Sequence, residues 1–138
     1  MTTKTTIVNT VGKRKSAIAR TVAKKGTGQI LINKKPIDMI TPNLLRLKIK
    51  EPIIIASSAV SNMDISVNVN GGGINGQADA ARQSIARAIV EFTKNKELEK
   101  KLNAYDRTLF AYDPRRTEPS KGSRSSAGPR RKRQMSKR

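Results

Sequence analysis

Between residues 63 and 93 the chain passes from strand periodicity to helix periodicity with only a glycine run between. Met63, Ile65, Val67 and Val69 alternate with Asp64, Ser66, Asn68 and Asn70, the period expected of a strand with one buried face. Gly71-Gly72-Gly73 and Ile74-Asn75-Gly76 follow, and then apolar residues return at helical spacing. Ala78, Ala81, Ile85, Ala88, Ile89 and Phe92 share one face, with Gln83, Ser84, Arg87, Glu91 and Lys94 opposite. A strand and a helix that each need an apolar face covered predict a packed pair at the centre of the core.

The rest of the chain supplies smaller elements. Ile7, Val8 and Val11 predict a short strand ending at Gly12, and Lys13-Arg14-Lys15 then forms a loop. Ala17 to Val22 reads with period two, placing Ile18, Arg20 and Val22 on one face and Ala17, Ala19 and Thr21 on the other. The sequence KKGTGQ predicts a hairpin, with Gly26 and Gly28 available for positive φ, before a third strand at Ile30-Leu31-Ile32. Asn33-Lys34-Lys35-Pro36 turns the chain again. Thr41-Pro42 reads as a helix start, threonine as N-cap and proline at the first helical position. The following LLRLKIKE also alternates as a strand would, and the cap decides for helix. Pro52 is expected to interrupt it, leaving Ile53 to Ala56 as a buried run of open type. Glu97 to Leu102 predicts a further short helix, and Leu109-Phe110-Ala111 a last apolar contact.

From Asp113 onward the composition changes. Ten basic and two acidic side chains give this segment a formal charge of +8, and its apolar side chains other than proline are Ala127 and Met135. Such a segment cannot bury enough apolar surface to offset the entropy of ordering it, so alone it is expected to be disordered. The sequence therefore divides into a globular domain at 1–112 and a basic extension at 113–138. The body is basic too: of a total formal charge of +19, the first 112 residues carry the remaining +11. A chain this positive repels itself and gains by neutralising phosphates, where counterion release drives binding.

Composition also excludes whole classes of chemistry. There is no cysteine, so no disulfide or thiolate metal site, and no histidine, which removes the commonest general base and metal ligand. No set of serine, lysine and carboxylate has catalytic spacing, so no catalytic residue, cofactor or metal is expected, and the chain is not read as an enzyme. No apolar run approaches the length of a membrane span, MTTKTTIVNT has no signal-peptide pattern, and a cytoplasmic location is expected. Aromatics make up 3% of residues and tryptophan is absent. Recognition of nucleic acid would therefore run through phosphate and arginine contacts rather than base stacking.

Gly71, Gly73 and Gly76 satisfy G-x-G-x-x-G between a strand and a helix. A dinucleotide site also needs a further parallel strand ending in an acidic residue about 20 residues on, and here that region reads KNKELEKK. The glycines, Gly72 included, are instead read as a structural turn that permits unusual dihedrals and close backbone approach. Lys13, Arg14 and Lys15, displayed between two strands, are phosphate-contact candidates, as are the paired Arg115 and Arg116. Asp113 is expected to cap a turn before them.

VGKRKSAIAR, the strand into GGG-x-x-GQADAARQSIARAIV, and YDRTLFAYDPRRTEP together resemble the family of the ninth protein of the small ribosomal subunit. YDRTL…DPRR resembles its archaeal and eukaryotic branch. The resemblance covers nearly the whole chain. It implies an α+β fold with a mixed β-sheet packed on helices, seated on ribosomal RNA in the subunit head beside other head proteins. It also implies a long basic tail ordered on RNA, whose end reaches transfer RNA in the peptidyl site. By position, the ribosomal RNA contacts would be Lys13, Arg14, Lys15, Arg115, Arg116, Lys121, Arg124, Arg130, Arg131, Lys132 and Arg133, and the transfer RNA contacts Lys137 and Arg138. Branch members commonly end in Lys-Ser-Tyr-Arg, whereas here Gln134 is followed by Met135-Ser136-Lys137-Arg138, with a cation in place of the aromatic. Charge alone would also fit a DNA-compacting architectural protein, but such binders often insert apolar wedges or dimerise, and the tail has no obvious wedge.

Overall fold

The alternating stretch forms a strand, Met63–Asn70, at the middle of a five-stranded sheet in a computed structural model that describes residues 6–117 and 119. The strands in chain order are β1 (Ile7–Arg14), β2 (Ala17–Lys25), β3 (Ile30–Ile32), β4 (Lys35–Pro36) and β5 (Met63–Asn70). Their spatial order is β1-β2-β5-β3-β4; β3 runs parallel to β5 and every other pairing is antiparallel. The helices are α1 (Asn43–Ile55), α2 (Ser57–Val60), α3 (Ile74–Thr93) and α4 (Lys96–Tyr105), with single 3-10 turns at Ile37–Met39 and Arg107–Leu109. This is an α+β fold with a mixed sheet, as the resemblance implied.

β5 buries Met63, Ile65, Val67 and Val69, but α3 lies mainly across β2, its neighbour, and β1 beyond it. The inward faces of those two strands explain the choice. β2 turns in Ala17, Ala19, Thr21 and Ala23, and β1 buries Thr10 and Gly12 between the partly buried Val8 and Arg14, so the buried groups on these two strands are small. A Cβ added at Gly12 would lie 2.1 Å from the Ala80 carbonyl oxygen and 2.7 Å from the Ser84 nitrogen. The larger Ile18 and Val22 take the outward face.

Because the sheet approaches so closely, α3 is buried on more than its apolar stripe. Gln83 and Ser84, assigned by periodicity to the polar side, are both buried. Their polar groups are satisfied, as burial requires: the Thr10 hydroxyl donates to the Ser84 carbonyl at 2.8 Å, the Thr21 hydroxyl to Ser84 Oγ at 2.7 Å, and Ser84 Oγ to the Ala81 carbonyl at 2.9 Å. On the far side of α3, Ala86 packs with Leu102 of α4 and Leu109 in a second cluster. Arg82, also buried, bridges Glu51 on α1 and Asp106 after α4, each at 2.6 Å.

Several local expectations are corrected. β1 does not stop at Gly12 but runs to Arg14, so Lys13 and Arg14 are strand residues and only Lys15-Ser16 turn. KKGTGQ does not close a hairpin, because β5 inserts between β2 and β3. Gly28 has φ +90° there, whereas Gly26 is needed because a Cβ would overlap the Asp64 carboxylate. The N-cap of α1 is Pro42, whose carbonyl accepts from Leu45 and Arg46; no side chain caps this end, so Thr41 does not act as the cap. Pro52 does not interrupt the helix. It sits inside α1, which continues to Ile55.

Gly12→Ala is expected to destabilise the protein by about 3 kcal/mol, the upper end of overpacking costs, because the backbone of α3 blocks the new methyl. Gly73→Ala, with nothing within 4 Å of its Cβ, should cost under about 1 kcal/mol. Urea midpoints measure both, and equal shifts would remove the close approach as the reason for Gly12.

Acid should unfold the protein through its paired carboxylates. Partial burial pushes the Asp106 carboxyl up, but the Thr108 hydroxyl and amide and the Arg82 guanidinium outweigh it, and the group lies below its ordinary value. A depressed carboxyl contributes stability above its unfolded pKa and loses it as pH falls through the folded one. Melting temperature is therefore expected to hold near neutrality and fall below about pH 4. Asp106→Asn should melt lower at neutral pH with a shallower acid fall; an unchanged acid limb would show that Asp106 has no part in it.

Candidate nucleic-acid interface

The hairpin joining β1 to β2 lies against the glycine run that opens α3. Lys15 takes φ +52° in the turn. Gly71 and Gly72 have φ +77° and +66°, and their missing Cβ atoms leave room for the hairpin backbone: a Cβ would stand 2.7 Å from the Ser16 carbonyl oxygen and 3.0 Å from the Ala17 nitrogen. Gly73 serves as N-cap of α3 and Gly76 lies inside that helix, neither with positive φ or a crowded Cβ. No strand follows α3 among the described residues, so a dinucleotide-binding unit is not formed. The glycines seat a hairpin whose tip displays Lys13 and Lys15 to solvent.

Arg14 points the other way. Its guanidinium stands 3.8 Å from Asp79 and pairs with Asp113 at the root of the basic extension. Lys48 of α1 reaches Asp79 at 2.6 Å. Asp113 also accepts from the Arg115 amide at 3.0 Å, closing the expected turn, and holds the Arg115 guanidinium through Nε and Nη2. Arg116 lies over the Tyr112 ring at 5.5 Å and bonds its hydroxyl. The hairpin and the root of the extension thus share a cleft of about 570 Å³, lined by six cations, Lys13, Arg14, Lys48, Arg82, Arg107 and Arg115, against the two carboxylates Asp79 and Asp113.

Two helix residues hold that root in place. Gln83 accepts from the Lys13 amide at 2.9 Å and donates to the carbonyls of Thr108 and Ala111 at 3.2 and 2.8 Å. Arg87 donates to the carbonyls of Val11 and Phe110 at 2.8 and 2.7 Å. Periodicity read both as solvent-facing, and neither they nor Lys48 and Asp79 carry a local signal, since their partners lie far away in sequence. Of the candidates read from sequence, the structure brings together Lys13, Arg14 and Arg115 in the cleft, while Lys15 lies in the hairpin turn and Arg116 against Tyr112. Lys121, Arg124, Arg130, Arg131, Lys132, Arg133, Lys137 and Arg138 lie outside the described residues. Among the described residues no cluster of acidic side chains could hold a metal, and no helix is long and apolar enough to cross a membrane.

Comparison with known proteins bears on the same features. Residues 12–138 match the family model described as ribosomal protein S9/S16. Small ribosomal subunit protein uS9 of Methanococcus maripaludis strain C7 is 54% identical over 130 residues, spanning 94% of this chain and 97% of that protein. The uS9 protein of Methanococcus vannielii is 49% identical over the same spans. The match takes in the hairpin tip, the glycine run and the basic extension, and the relatives align almost end to end. On that ground the chain belongs to the S9/S16 family, in its archaeal-type branch, as a structural, non-enzymatic ribosomal protein of the small subunit.

Proposed function

We propose that this small-subunit protein binds ribosomal RNA in the subunit head, beside other head proteins, and touches transfer RNA in the peptidyl site with the end of its basic extension. The observation that carries the reading is the convergence of two cation sources on one cleft. The hairpin brings Lys13 and Arg14 to the cleft, with Lys15 exposed in its glycine-seated turn, and Arg115, followed by exposed Arg116, leaves the body there. Phosphate contacts from such groups fix register and orientation on RNA. Arg14 acts at one remove: by pairing with Asp113 it sets where the extension starts. The body, residues 1–112, is the anchor, and 113–138, with Lys121, Arg124 and Arg130 to Arg133, is the arm that orders on RNA. Lys137 and Arg138 are the transfer RNA contacts. Membership in a ribosomal family disfavours the DNA-compacting alternative.

Binding to small-subunit RNA should be steeply salt-dependent. If the extension neutralises about eight phosphates, log K against log salt should slope at about −6 to −7, with each contact contributing roughly 0.7 to 0.9. A slope shallower than about −3 would leave the extension largely unbound and the reading wrong.

Deleting Lys137 and Arg138 should leave subunit assembly intact, since the other cations hold the protein. It should weaken peptidyl-site transfer RNA by about 1 kcal/mol, the scale of a net hydrogen bond. Dissociation rates from assembled subunits measure this; equal rates with and without the two residues would remove the transfer RNA contact.

A further inference from the structure

Among the described residues the helices cover one face of the sheet, and nothing covers the other. β1 presents Ile7, Asn9, Val11 and Lys13 there, β2 presents Ile18, Arg20, Val22 and Lys24, and β5 presents Asp64, Ser66, Asn68 and Asn70. The register sets these in rows. Lys13, Ile18 and Asn70 form one; Val11, Arg20 and Asn68 the next; then Asn9, Val22 and Ser66; and last Ile7, Lys24 and Asp64. Across β1 and β2 every apolar residue has polar or cationic neighbours along and across the strands. A second copy of this chain would need a broad apolar patch, whereas here Ile7, Val22, Val11 and Ile18 meet only along diagonals, with a polar or cationic group directly beside each.

The same pattern suits a ribose-phosphate surface. Lys13, Arg20 and Lys24 can reach phosphates, the short aliphatic groups can lie against sugars, and Ser66, Asn68 and Asn70 can donate to and accept from 2′-hydroxyls. Asp64 is the only acid on this face among the described residues. Its carboxylate accepts from the backbone amides of Thr27 and Gln29 at 2.8 and 3.2 Å, and those bonds hold its carboxyl below the ordinary value. Glu91 and Glu99 line a shallow groove with Asn9 and Val11, marking where a polyanion's footprint would end at the β1 edge. No aromatic side chain stands on the face to stack an unpaired base. With strands about 4.8 Å apart and a rise of about 3.4 Å per residue, the face measures about 10 by 20 Å, a platform of a size suited to the wide, shallow minor groove of A-form RNA.

We infer that the open face of the β1-β2-β5 sheet docks on the minor groove of an RNA duplex, with Ser66, Asn68 and Asn70 reading the 2′-hydroxyls. This inference rests on the RNA-binding reading and adds a second, duplex-specific surface to the charge-driven one. The test uses the full chain with three probes: a short RNA duplex, the DNA duplex of the same sequence, and single-stranded oligouridine. The wild-type chain should prefer the RNA duplex to the DNA duplex by about tenfold or more. Combined Ser66→Ala, Asn68→Ala and Asn70→Ala, which leave net charge unchanged, should remove most of that preference and change oligouridine binding by less than about twofold. Melting curves that match the wild type confirm that the variant folds; if they do not, Asn68→Gln, which keeps the amide but displaces it, should lower the preference in the same direction. An unchanged preference overturns the inference, as does equal loss on all three probes. Wild-type dimerisation that Val22→Lys abolishes would give the face to a second copy. A chain that binds oligouridine but no duplex refutes the docking alone, whereas binding to none of the probes refutes the RNA-binding function as well.

Discussion

The close approach of α3 to β1 and β2 is the constraint from which the other features follow. A helix cannot come within reach of strand backbone unless the facing side chains are small, and here they are Thr10, Gly12, Ala17, Ala19, Thr21 and Ala23 beneath Ala80, Ala81 and Ser84. Dispersion is short-ranged, so tight small-on-small contact recovers attraction that larger groups would otherwise supply by bulk. The same approach turns polar helix residues inward, where Thr10 and Thr21 satisfy Ser84. It also fixes the start of α3 beneath the β1–β2 hairpin, which is why Gly71 and Gly72 must have no side chains. The cations at the hairpin tip owe their position to that chain of contacts.

Helix and strand share a repeat along this contact. Four helical residues advance about 6.0 Å, and two strand residues about 6.8 Å. Gln83 and Arg87, four apart on α3, therefore meet the Lys13 amide and the Val11 carbonyl, two apart on β1. β1 is an edge strand with backbone groups open to pairing, a liability for aggregation. These two side chains satisfy part of that edge and then reach on to the carbonyls of Thr108, Phe110 and Ala111. The edge of the sheet and the root of the extension are held by the same pair of residues.

What was legible in the sequence was whatever local periodicity encodes. β5, α3, α4 and the turn at Asn33 could be read because their patterns repeat over short spans. The insertion of β5 between β2 and β3 could not, because a Gly-containing loop after a strand looks the same whether or not its strands pair. Asn33 shows the difficulty: its side-chain amide bonds both the carbonyl and the amide of Val69, extending the β3–β5 pairing past the end of β3. That contact spans 36 residues, and no local pattern announces it. At the candidate interface, the basic residues were legible by charge, but the inward use of Arg14 was not. A run of three cations looks uniform until strand alternation sends the middle one to Asp79 and Asp113.

The carboxylates complete the electrostatic argument. Asp38 is paired with Lys50, Glu51 and Asp106 with Arg82, Asp79 with Lys48 and Arg14, and Asp113 with Arg14 and Arg115, while Asp64 holds a loop by its backbone amides. Glu97 and Glu99 stand in the first turn of α4, where the helix dipole favours negative charge. The acids in ion pairs tie elements of the fold together. On the open face Asp64, the sole acid there among the described residues, stands at one corner bonded to backbone amides, and at the hairpin tip Lys13 and Lys15 are presented to solvent. A protein with a formal charge of +19 would repel itself evenly if its acids were scattered over the surface. Pairing most of these carboxylates locally lets the body hold together while the excess positive charge remains on the surfaces that meet phosphate.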